Sequence, residues 1–473
     1  MEREAFLGRV EGSISLLLTN SVSRRSRMRL SRRSGLGRTL LVLLACAPAA
    51  FPEMLPAEEP VMAFTGARIL PIAGDPFESG TLVIRGGKIE AVGPAGSTAI
   101  PAGATRIDAA GKVILPGLIC THSHIGGMGG ADGSAPIQPD VRILDATNVR
   151  DSGFRRAVAG GLTTLNIMPG SGHLLSGRTI YVKLRGGNVI DDLYIRDADG
   201  KPLGGVKMAN GTNSRKAPPF PGTRGKSAAL VRAMFIKAQE YRDKIARAGG
   251  DPEKLPPRDL GLETLVEVLE KKTIVHHHTH RHDDIMTVLR LAKEFDFRVV
   301  LHHVSDGWKV ADEIARAGVP CSVILLDSPG GKLEAVEKSY ITGSVLEKAG
   351  VLVAFHTDDW ITDSRLFFRT PALAVRAGMS REGALKALTI AGARILDLDK
   401  RIGSLEAGKD ADFILLSGDP FSVYTKVLET WVEGKKVFDR NIPEDRLSAV
   451  GGYGAVHDQE PYTCCFERGE DGE

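Results

Sequence analysis

The chain has 473 residues, of which 42% are apolar, 25% charged and 5% aromatic. This composition excludes a disordered or low-complexity protein, and the length suits two or three domains or one large barrel with an accessory domain. The net charge of +3 is too small to indicate nucleic-acid binding. Residues 1–38 contain nine arginines and three glutamates, so the rest of the chain is mildly acidic, with 52 basic and 55 acidic side chains.

The N-terminal segment has the pattern of an export signal. Its arginines precede the apolar run 40–50 (LLVLLACAPAA), which ends in small residues of the Ala-x-Ala kind. This run is too short to cross a bilayer, which takes about 20 residues, and no other stretch is apolar enough for a stable membrane span. We therefore predict that residues 1–50 are a signal peptide rather than a buried helix. The protein is then expected to be exported, to the periplasm or cell envelope, or secreted.

Short alternating segments on both sides of the remaining chain predict antiparallel sheet. They occupy residues 61–115 and 401–440 and are broken by glycines and Asp-Pro turns. Between them, apolar runs end in polar clusters and are followed by helical periodicity, which is typical of βα units around a parallel sheet. Residues 441–473 show little periodicity and are predicted to be a C-terminal tail.

Eight of these apolar runs predict an α/β fold, a (β/α)8 TIM barrel over residues 116–400. A doubly wound sheet would also produce the alternation, but eight units with polar strand ends favour the barrel, whose active site lies at the C-terminal ends of its strands. The long connection over residues 209–272 is expected to face the substrate. The runs are Val113–Cys120, Leu162–Ile167, Thr179–Lys183, Gly205–Met208, Thr273–His278, Arg298–His303, Pro320–Leu325 and Val351–Phe355.

Histidine is scarce but clustered, because ten of the twelve histidines lie near the ends of runs one, five, six and eight. Alternate residues of a strand face the same side, so His122 and His124 are predicted to point together into the barrel mouth. The same parity places His303 inward and His302 on the opposite face. It turns His277 away from the mouth and groups the other histidines of run five, which are His276, His278, His280 and His282.

These strand ends predict a metal site. Neutral imidazoles combined with a carboxylate, here supplied by the segment His356–Asp359 after run eight, suit zinc or another borderline divalent ion. A solvated turn explains a single His-x-His pair, but it does not explain ligand-type residues at four strand ends.

Two motifs resemble those of the amidohydrolase superfamily. The segment 115–124 (LPGLICTHSH) is similar to its first-strand signature, and the segment 403–412 (GSLEAGKDAD) is similar to its C-terminal signature. The resemblance covers residues 61–440 and is strongest to the imidazolonepropionase-like branch, which also contains dipeptidases and cyclic-amide hydrolases. It implies a metal-dependent barrel with a composite β-sandwich formed by residues 61–115 and 401–440.

The resemblance also implies a set of metal ligands. By motif position, His122 and His124 would bind one metal ion from strand one. His278 matches the ligand of the fifth strand, and His303 matches that of the sixth. Asp358 matches the aspartate of the eighth strand, which is both a ligand and a proton shuttle.

Lys207, at the end of run four, matches the lysine that is carboxylated and bridges two metals in binuclear members. A structural or substrate-binding lysine remains an alternative there. An uncarboxylated ammonium would repel a cation, so the state of Lys207 discriminates between a site with one metal ion and a site with two. Cys120 departs from the family pattern, which often has aspartate two residues before the first ligand, and this puts a contact behind that ligand in doubt.

The implied chemistry is hydrolysis of a C–N bond in an amide, cyclic amide or dipeptide-like substrate. One or two divalent ions, with zinc expected, would lower the pKa of a bound water to about 7 and so supply hydroxide at neutral pH. Asp358 would act as general base and then as general acid. His280 and Arg281 are candidates for orienting the substrate or its oxyanion, although a polar pair at a helix start explains them nearly as well.

The expected partner is a small-molecule substrate, with no nucleic acid. Barrels of this type often pair, so a homo-oligomer is compatible with the resemblance, but the sequence does not determine the oligomeric state. Two other functions remain open. One is a mononuclear deaminase-like or other hydrolase with an uncarboxylated Lys207, and the other is a catalytically silent binding protein on the same barrel.

Overall fold

A computed structural model of the chain describes residues 59–126, 132–325, 332–359 and 361–451. The predicted signal peptide and residues 452–473 of the predicted tail lie outside the described residues. Within the described part, no helix combines the length and the apolar character needed to span a membrane.

The strands and helices are numbered here in chain order. The strands are β1 (Val61–Ile69), β2 (Phe77–Arg85), β3 (Lys88–Pro94), β4 (Thr105–Asp108), β5 (Val113–Pro116), β6 (Leu118–Ser123), β7 (Leu162–Ile167), β8 (Leu175–Arg178), β9 (Ile180–Lys183), β10 (Val206–Ala209), β11 (Val275–Thr279), β12 (Val299–His303), β13 (Cys321–Val323), β14 (Val353–Phe355), β15 (Phe413–Leu416), β16 (Val427–Val432) and β17 (Lys435–Asp439). The α-helices are α1 (Ser152–Ala159), α2 (Arg224–Ala248), α3 (Leu260–Leu269), α4 (His282–Phe295), α5 (Ala311–Ala317), α6 (Thr342–Lys348), α7 (Thr370–Arg376), α8 (Arg381–Leu388), α9 (Ile390–Ile395) and α10 (Pro443–Val450).

The two flanks of the chain form one sheet. Its strand order is β17-β16-β15-β5-β1-β2-β3, with β4 paired to β1, and β5 joins β15 so that Val113 lies opposite Leu416 and Pro116 opposite Phe413. The sheet is mixed rather than purely antiparallel as predicted, because β1 runs parallel to both β4 and β5. Its apolar side packs Phe64, Phe413 and Trp431 edge to face and stacked, with ring centroids 5.0–5.5 Å apart.

The central strands form two further sheets, with strand orders β14-β13-β12-β11-β10-β8 and β6-β7-β9. Strands β10 to β14 are parallel to one another, as are β6 and β7. Each predicted run contains a strand, and the first is divided between β5 and β6. The chain is therefore an α/β fold with mixed sheets.

The third predicted run differs from the expectation in direction. It becomes β9, which is antiparallel to β7, and the added strand β8 is antiparallel to β10. A parallel return needs a crossover of a dozen or more residues, usually a helix. The segment between β7 and β9 is occupied by β8 and contains no helix, so the chain returns antiparallel.

Helices connect most of the parallel strands, and the long 209–272 connection contains α2 and α3. Helix α4 begins with Asp283 and Asp284 in its first turn, where carboxylates favour the positive end of the helix dipole. Its buried face consists of Asp284 together with Ile285, Val288, Leu289, Leu291, Ala292 and Phe295. Helix α10 makes residues 443–450 of the predicted tail helical.

The C-terminal signature is tied to the central strands by a buried charge cluster. Lys183 on β9 is fully buried and forms ion pairs with Asp410 and, at 2.7 Å, with Asp412. Asp410 also pairs with Arg401 and Lys88, each at 2.6 Å. Burial alone would raise the pKa of Asp410, but these cations outweigh it and lower the pKa to about 2.

Candidate metal centre

The six side chains proposed as ligands are all buried, with 0–3% of their surface exposed. They come from the ends of five strands and from the segments directly after them. The six are His122, His124, Lys207, His278, His303 and Asp358. Folding therefore brings together residues that are up to 236 positions apart in sequence, as the contact between His122 and Asp358 illustrates.

The first donor group consists of His122, His124 and Asp358. The two Nε2 atoms lie 3.1 Å apart, and Asp358 Oδ1 is 3.1 Å from the first and 3.2 Å from the second. The main-chain N–H of Asp358 donates to the carbonyl of His122 at 3.2 Å, and Asp358 adopts a left-handed φ of 55°. Such a backbone conformation is uncommon outside glycine and concentrates at functional sites.

Lys207 adjoins this group. Its Nζ is 3.2 Å from His122 Nε2 and 3.2 Å from the sulfur of Met168. Burial is the main reason that the pKa of His122 falls well below its ordinary value, and the Lys207 charge lowers it further. A modification that removes the positive charge of Lys207 would thus make this corner more favourable for a cation.

The second donor group combines His122 with His303 and His356. His303 ends β12 with φ 70°, and Val304 follows with φ 46°. This left-handed turn directs His303 toward the site, where its Nδ1 lies 3.1 Å from His356 Nε2 and 3.7 Å from Asp358 Oδ2.

The third donor group consists of His278, His280 and Glu334. Sequence reasoning missed Glu334, which lies in a single 3-10 turn, and its only signal was its position after predicted run seven. Its Oε2 accepts hydrogen bonds from the Thr212 N–H at 2.6 Å and hydroxyl at 2.7 Å, and Arg224 Nη2 lies 3.3 Å away. Its Oε1 has no hydrogen-bond partner among the described residues.

The inward and outward placement of the histidines corrects two predictions. His302 faces the site, with its Nδ1 3.2 Å from His122 Nδ1, instead of facing away. It pairs in register with His278, and residues in register on neighbouring strands share a face; His303 reaches the same side only through its left-handed turn. His282 is half-exposed and lies 3.3 Å from Asp306, because helix α4 begins there and strand parity ends.

The two candidate substrate-orienting residues have different surroundings. His280 is buried beside His278 and His303, and its Nδ1 lies 2.7 Å from Ser305 Oγ. Arg281 is 42% exposed and forms two hydrogen bonds with Asp283, at 3.0 and 2.9 Å. The structure thus brings His280 into the cluster and places Arg281 in a polar pair at the start of α4.

The protonation states suit cation binding. Burial lowers the pKa of His278, His303 and His280 well below the ordinary value, so these rings are neutral near pH 7. Burial opposes ionisation of Asp358, but the neighbouring His303 and His124 outweigh it and hold the pKa of that carboxyl well below its usual range. Neutral imidazoles and an ionised carboxylate are the forms that bind divalent ions.

Several buried nitrogen atoms support the same conclusion. Both ring nitrogens of His278 and the Nε2 atoms of His280 and His303 lack a hydrogen-bond partner within the described part of the chain. Buried polar atoms without partners are rare and indicate an ion, a water or a functional role. The donor set therefore fits a divalent metal ion.

Two further residues contact the segments that carry the first donor group. Asp359, which sequence reasoning did not select, accepts hydrogen bonds from the His124 N–H and the Ser123 hydroxyl, both at 2.6 Å. Cys120 lies 3.0 Å from the carbonyl of His122 and 3.3 Å from Thr357 Oγ1. Burial raises the pKa of its thiol to about 12, so Cys120 is a neutral packing group beside the ligands.

A family model described as amidohydrolase family matches residues 270–438. The crystal structure of an amidohydrolase from Thermotoga maritima is 34% identical, covers 80% of this chain and 100% of its own, and superposes with a TM-score of 0.75. This chain belongs to the amidohydrolase family.

Two curated relatives extend the comparison. Amidohydrolase tasK from Hapsidospora irregularis is 26% identical over 72% of this chain, which spans only 38% of the tasK length. The 5-methylthioadenosine/S-adenosylhomocysteine deaminase from Symbiobacterium thermophilum is 24% identical over 75% of this chain and 84% of its own length. Adenine deaminases and imidazolonepropionases also match. These matches confirm the predicted superfamily and its imidazolonepropionase-like members. They also confirm that the chain belongs to a metal-dependent family of hydrolases that act on C–N bonds.

Proposed function

We propose that this amidohydrolase hydrolyses a C–N bond of an amide, cyclic amide or dipeptide-like small molecule with the help of one or two divalent ions, zinc being the proposed metal. The observation that carries the proposal is the first donor group, in which His122, His124 and Asp358 present three ligand atoms within hydrogen-bond distance of one another. When bound, a divalent ion supplies Lewis-acid polarisation of a carbonyl and an activated water at neutral pH.

The ligand set is proposed to have two halves. His122, His124 and Asp358 form one half, and His278 and His303, with nitrogens that lack partners among the described residues, form the other. Lys207 lies beside the first half, and a carboxylated Lys207 is proposed to bridge the two. Carboxylation would convert a repelling ammonium into an anionic ligand, which the proximity of its Nζ to His122 favours.

The side chains also suggest how protons and substrate are handled. Asp358 is ionised and is proposed to take a proton from water and return it to the leaving nitrogen. His280 is proposed to contact a substrate oxygen, because Ser305 holds its Nδ1 and its buried Nε2 has no hydrogen-bond partner among the described residues. Arg281 would have to leave Asp283 to reach a substrate, so its proposed part in orientation is secondary.

The finer architecture is also a proposal. Strands β6, β7 and β9 to β14 are proposed to close into a barrel over residues 116–400, and residues 61–115 with 401–440 to form a composite β-sandwich domain. The joining of β5 to β15 within one sheet supports the second part. Export through a signal peptide at residues 1–50 is proposed from the sequence pattern alone.

The test uses the purified chain, depleted of metal and reloaded with Zn²⁺. We expect one or two ions per chain by elemental analysis and turnover of at least one substrate in an amide, cyclic amide and dipeptide panel. His122→Ala should lose both, whereas His282→Ala, a half-exposed histidine outside the cluster, should retain them. The proposal fails if the reloaded chain binds no divalent ion, or if His122→Ala hydrolyses as well as the unsubstituted chain.

A mononuclear, deaminase-like enzyme is the second candidate. The deaminases among the relatives favour it. In such an enzyme Lys207 would stay unmodified, with its amine beside His122 Nε2. One ion per chain and release of ammonia from an aminopurine would support it over the first proposal. Bound metal with no turnover in either panel would instead indicate a catalytically silent binding protein.

A further inference from the structure

A continuous chain of hydrogen-bonding side chains runs from the candidate metal centre into the interior. His122 Nδ1 lies 3.2 Å from His302 Nδ1, and His302 Nε2 lies 3.0 Å from His276 Nδ1. His276 Nε2 lies 3.0 Å from the Tyr181 hydroxyl. All four side chains are buried, with at most 2% of their surface exposed. We call Tyr181, His276 and His302 the imidazole relay.

The strand arrangement explains how three distant residues form this chain. His276 and His302 share the inward face of neighbouring strands β11 and β12. His302 lies opposite His278, two residues beyond Val300, which is the residue opposite His276. Gly205 makes room for the His276 ring, since a Cβ there would lie 2.4 Å from its Cδ2 atom and 2.7 Å from its Nε2. The close approach therefore requires glycine at position 205.

The relay has only two consistent arrangements of protons. Both rings are buried, and burial disfavours the charged imidazolium, so each ring is neutral, with one N–H and one lone pair. Each ring must then donate a hydrogen bond to one neighbour and accept one from the other, so all donors along the relay face the same direction. The hydrogen bonds run either from Tyr181 toward His122 or from His122 toward Tyr181, and both arrangements contain the same number of protons.

Only one arrangement is compatible with a bound ion. If the bonds run toward His122, its Nδ1 accepts and its proton sits on Nε2, where it faces Asp358 Oδ1 at 3.1 Å. If they run toward Tyr181, the proton of His122 is on Nδ1, and the lone pair of Nε2 faces His124 and Asp358. A ligand needs that lone pair, so metal binding selects the second arrangement.

We propose that Tyr181, His276 and His302 are positioning residues that support His122 in the tautomer whose Nε2 binds the metal ion, by accepting its Nδ1–H. The relay gives that N–H an acceptor in the buried interior. The inference rests on the proposed role of His122 as a ligand and adds to it the residues that stabilise the ligating tautomer.

The other half of the site has a parallel arrangement. His303 Nδ1 lies 3.1 Å from His356 Nε2, whose Nδ1 lies 2.7 Å from Ser322 Oγ, and Ser322 lies 2.5 Å from Thr121 Oγ1. Running the bonds away from the site leaves the Nε2 of His303 with its lone pair, and that atom has no hydrogen-bond partner among the described residues. Two proposed ligands are thus supported in the same way. Groups that orient ligating histidines usually affect metal affinity by about 10–100-fold.

The test compares substitutions of His302 in the full chain. Zn²⁺ affinity is measured by competition with a chromogenic chelator, and Co²⁺ absorption spectra report the ligand geometry independently of activity. His302→Leu removes the acceptor, so we expect Zn²⁺ affinity to fall by about 10–100-fold. His302→Asn places Oδ1 near the position of Nδ1, where it can accept from His122, and should restore most of the affinity.

His277→Leu is the matched control, because His277 is a buried histidine on the neighbouring strand β11 whose Nδ1 bonds to a main-chain carbonyl oxygen instead of a relay residue. Its Zn²⁺ affinity should equal that of the unsubstituted chain. If His302→Leu does not fold, as thermal unfolding would reveal, Tyr181→Phe serves instead. It keeps the ring, removes the terminal oxygen and should weaken Zn²⁺ binding in the same direction but less.

The outcomes separate the two proposals. Unchanged Zn²⁺ affinity in His302→Leu would overturn the relay, and so would equal losses in the Leu and Asn variants, since these would indicate packing rather than an acceptor role. If the unsubstituted chain binds no ion, the proposed function fails before the relay is tested.

Discussion

Replacing Lys183 with methionine tests the link between the C-terminal signature and the central strands. The Lys183 ammonium is fully buried and contacts two carboxylates, Asp410 and Asp412, whose side chains are 2% and 3% exposed. Methionine has nearly the same length and fills the space without a charge. The substitution therefore removes the charge compensation while leaving most of the packing in place.

The expected loss in the free energy of unfolding follows from the charges that remain after the substitution. Removing one partner of a buried ion pair usually costs about 3–5 kcal/mol, because the other charge is left uncompensated. Asp410 keeps Lys88 and Arg401, but Asp412 loses the one cation that contacts it among the described residues. We therefore expect the free energy of unfolding to fall by about 3 kcal/mol or more.

The assay is denaturant unfolding at pH 7, with Lys88→Met as the matched control. Lys88 also pairs with Asp410, but its side chain is 53% exposed. Its loss should cost about 1 kcal/mol or less, as for other solvent-screened pairs. Equal effects of the two substitutions, or a loss below about 1 kcal/mol for Lys183→Met, would refute the reasoning that burial makes this cluster costly to break.

Acid provides a second readout of the same cluster. The pKa of Asp410 is lowered to about 2, so the stabilisation from its ionised form is present above pH 3.8 and is lost as the pH falls toward 2. Burial raises the pKa of Asp412 despite Lys183, which works in the opposite direction. We expect the stability difference between Lys183→Met and the unsubstituted chain to shrink between pH 4 and pH 2. A constant difference across that window would contradict this assignment.

Three further predictions concern the site. Asp358→Asn, compared at equal metal content, should lower kcat by about 10²–10⁴-fold because the proton acceptor is removed, and a kcat within a few-fold of the original would rule out that role. Glu334→Gln places an N–H donor beside the two histidines of the third donor group, so Zn²⁺ affinity should fall by about tenfold. Glu337 is exposed, and Glu337→Gln should bind Zn²⁺ like the unsubstituted chain. Equal affinities of the two variants would exclude Glu334 from the site. Gly205→Ala should destabilise the fold by about 1–3 kcal/mol through overpacking against the relay, while Gly222→Ala, whose added Cβ meets nothing within 4 Å, should be neutral.

Much of the fold was accessible from sequence, because apolar runs and polar strand ends are local patterns. Each of the eight predicted runs contains a strand. The direction of β9 was not accessible, because it depends on a return through β8 that local periodicity does not encode. The mixed character of the flanking sheet likewise depends on pairing between distant segments.

The candidate site was likewise only partly predictable from the sequence. Strand parity placed His122 and His124 on one side, as observed, but it failed for His302. The inward position of His302 follows from its register with His278, and that of His303 from a left-handed backbone turn. Glu334 belongs to an irregular turn, and no sequence period marks it as a partner of two histidines on another element.

The sequence alone determined the residue types available for chemistry, the strand ends that carry them and the family to which the chain belongs. These features follow from side-chain chemistry and from short-range periodicity, which are properties of neighbouring residues. The tertiary structure decided which nitrogen of each histidine faces the cluster, which groups hold the other nitrogen and how Lys183 joins two distant carboxylates. These features depend on contacts between residues that are distant in the chain, and burial, which removes competing water, makes each of those contacts energetically significant.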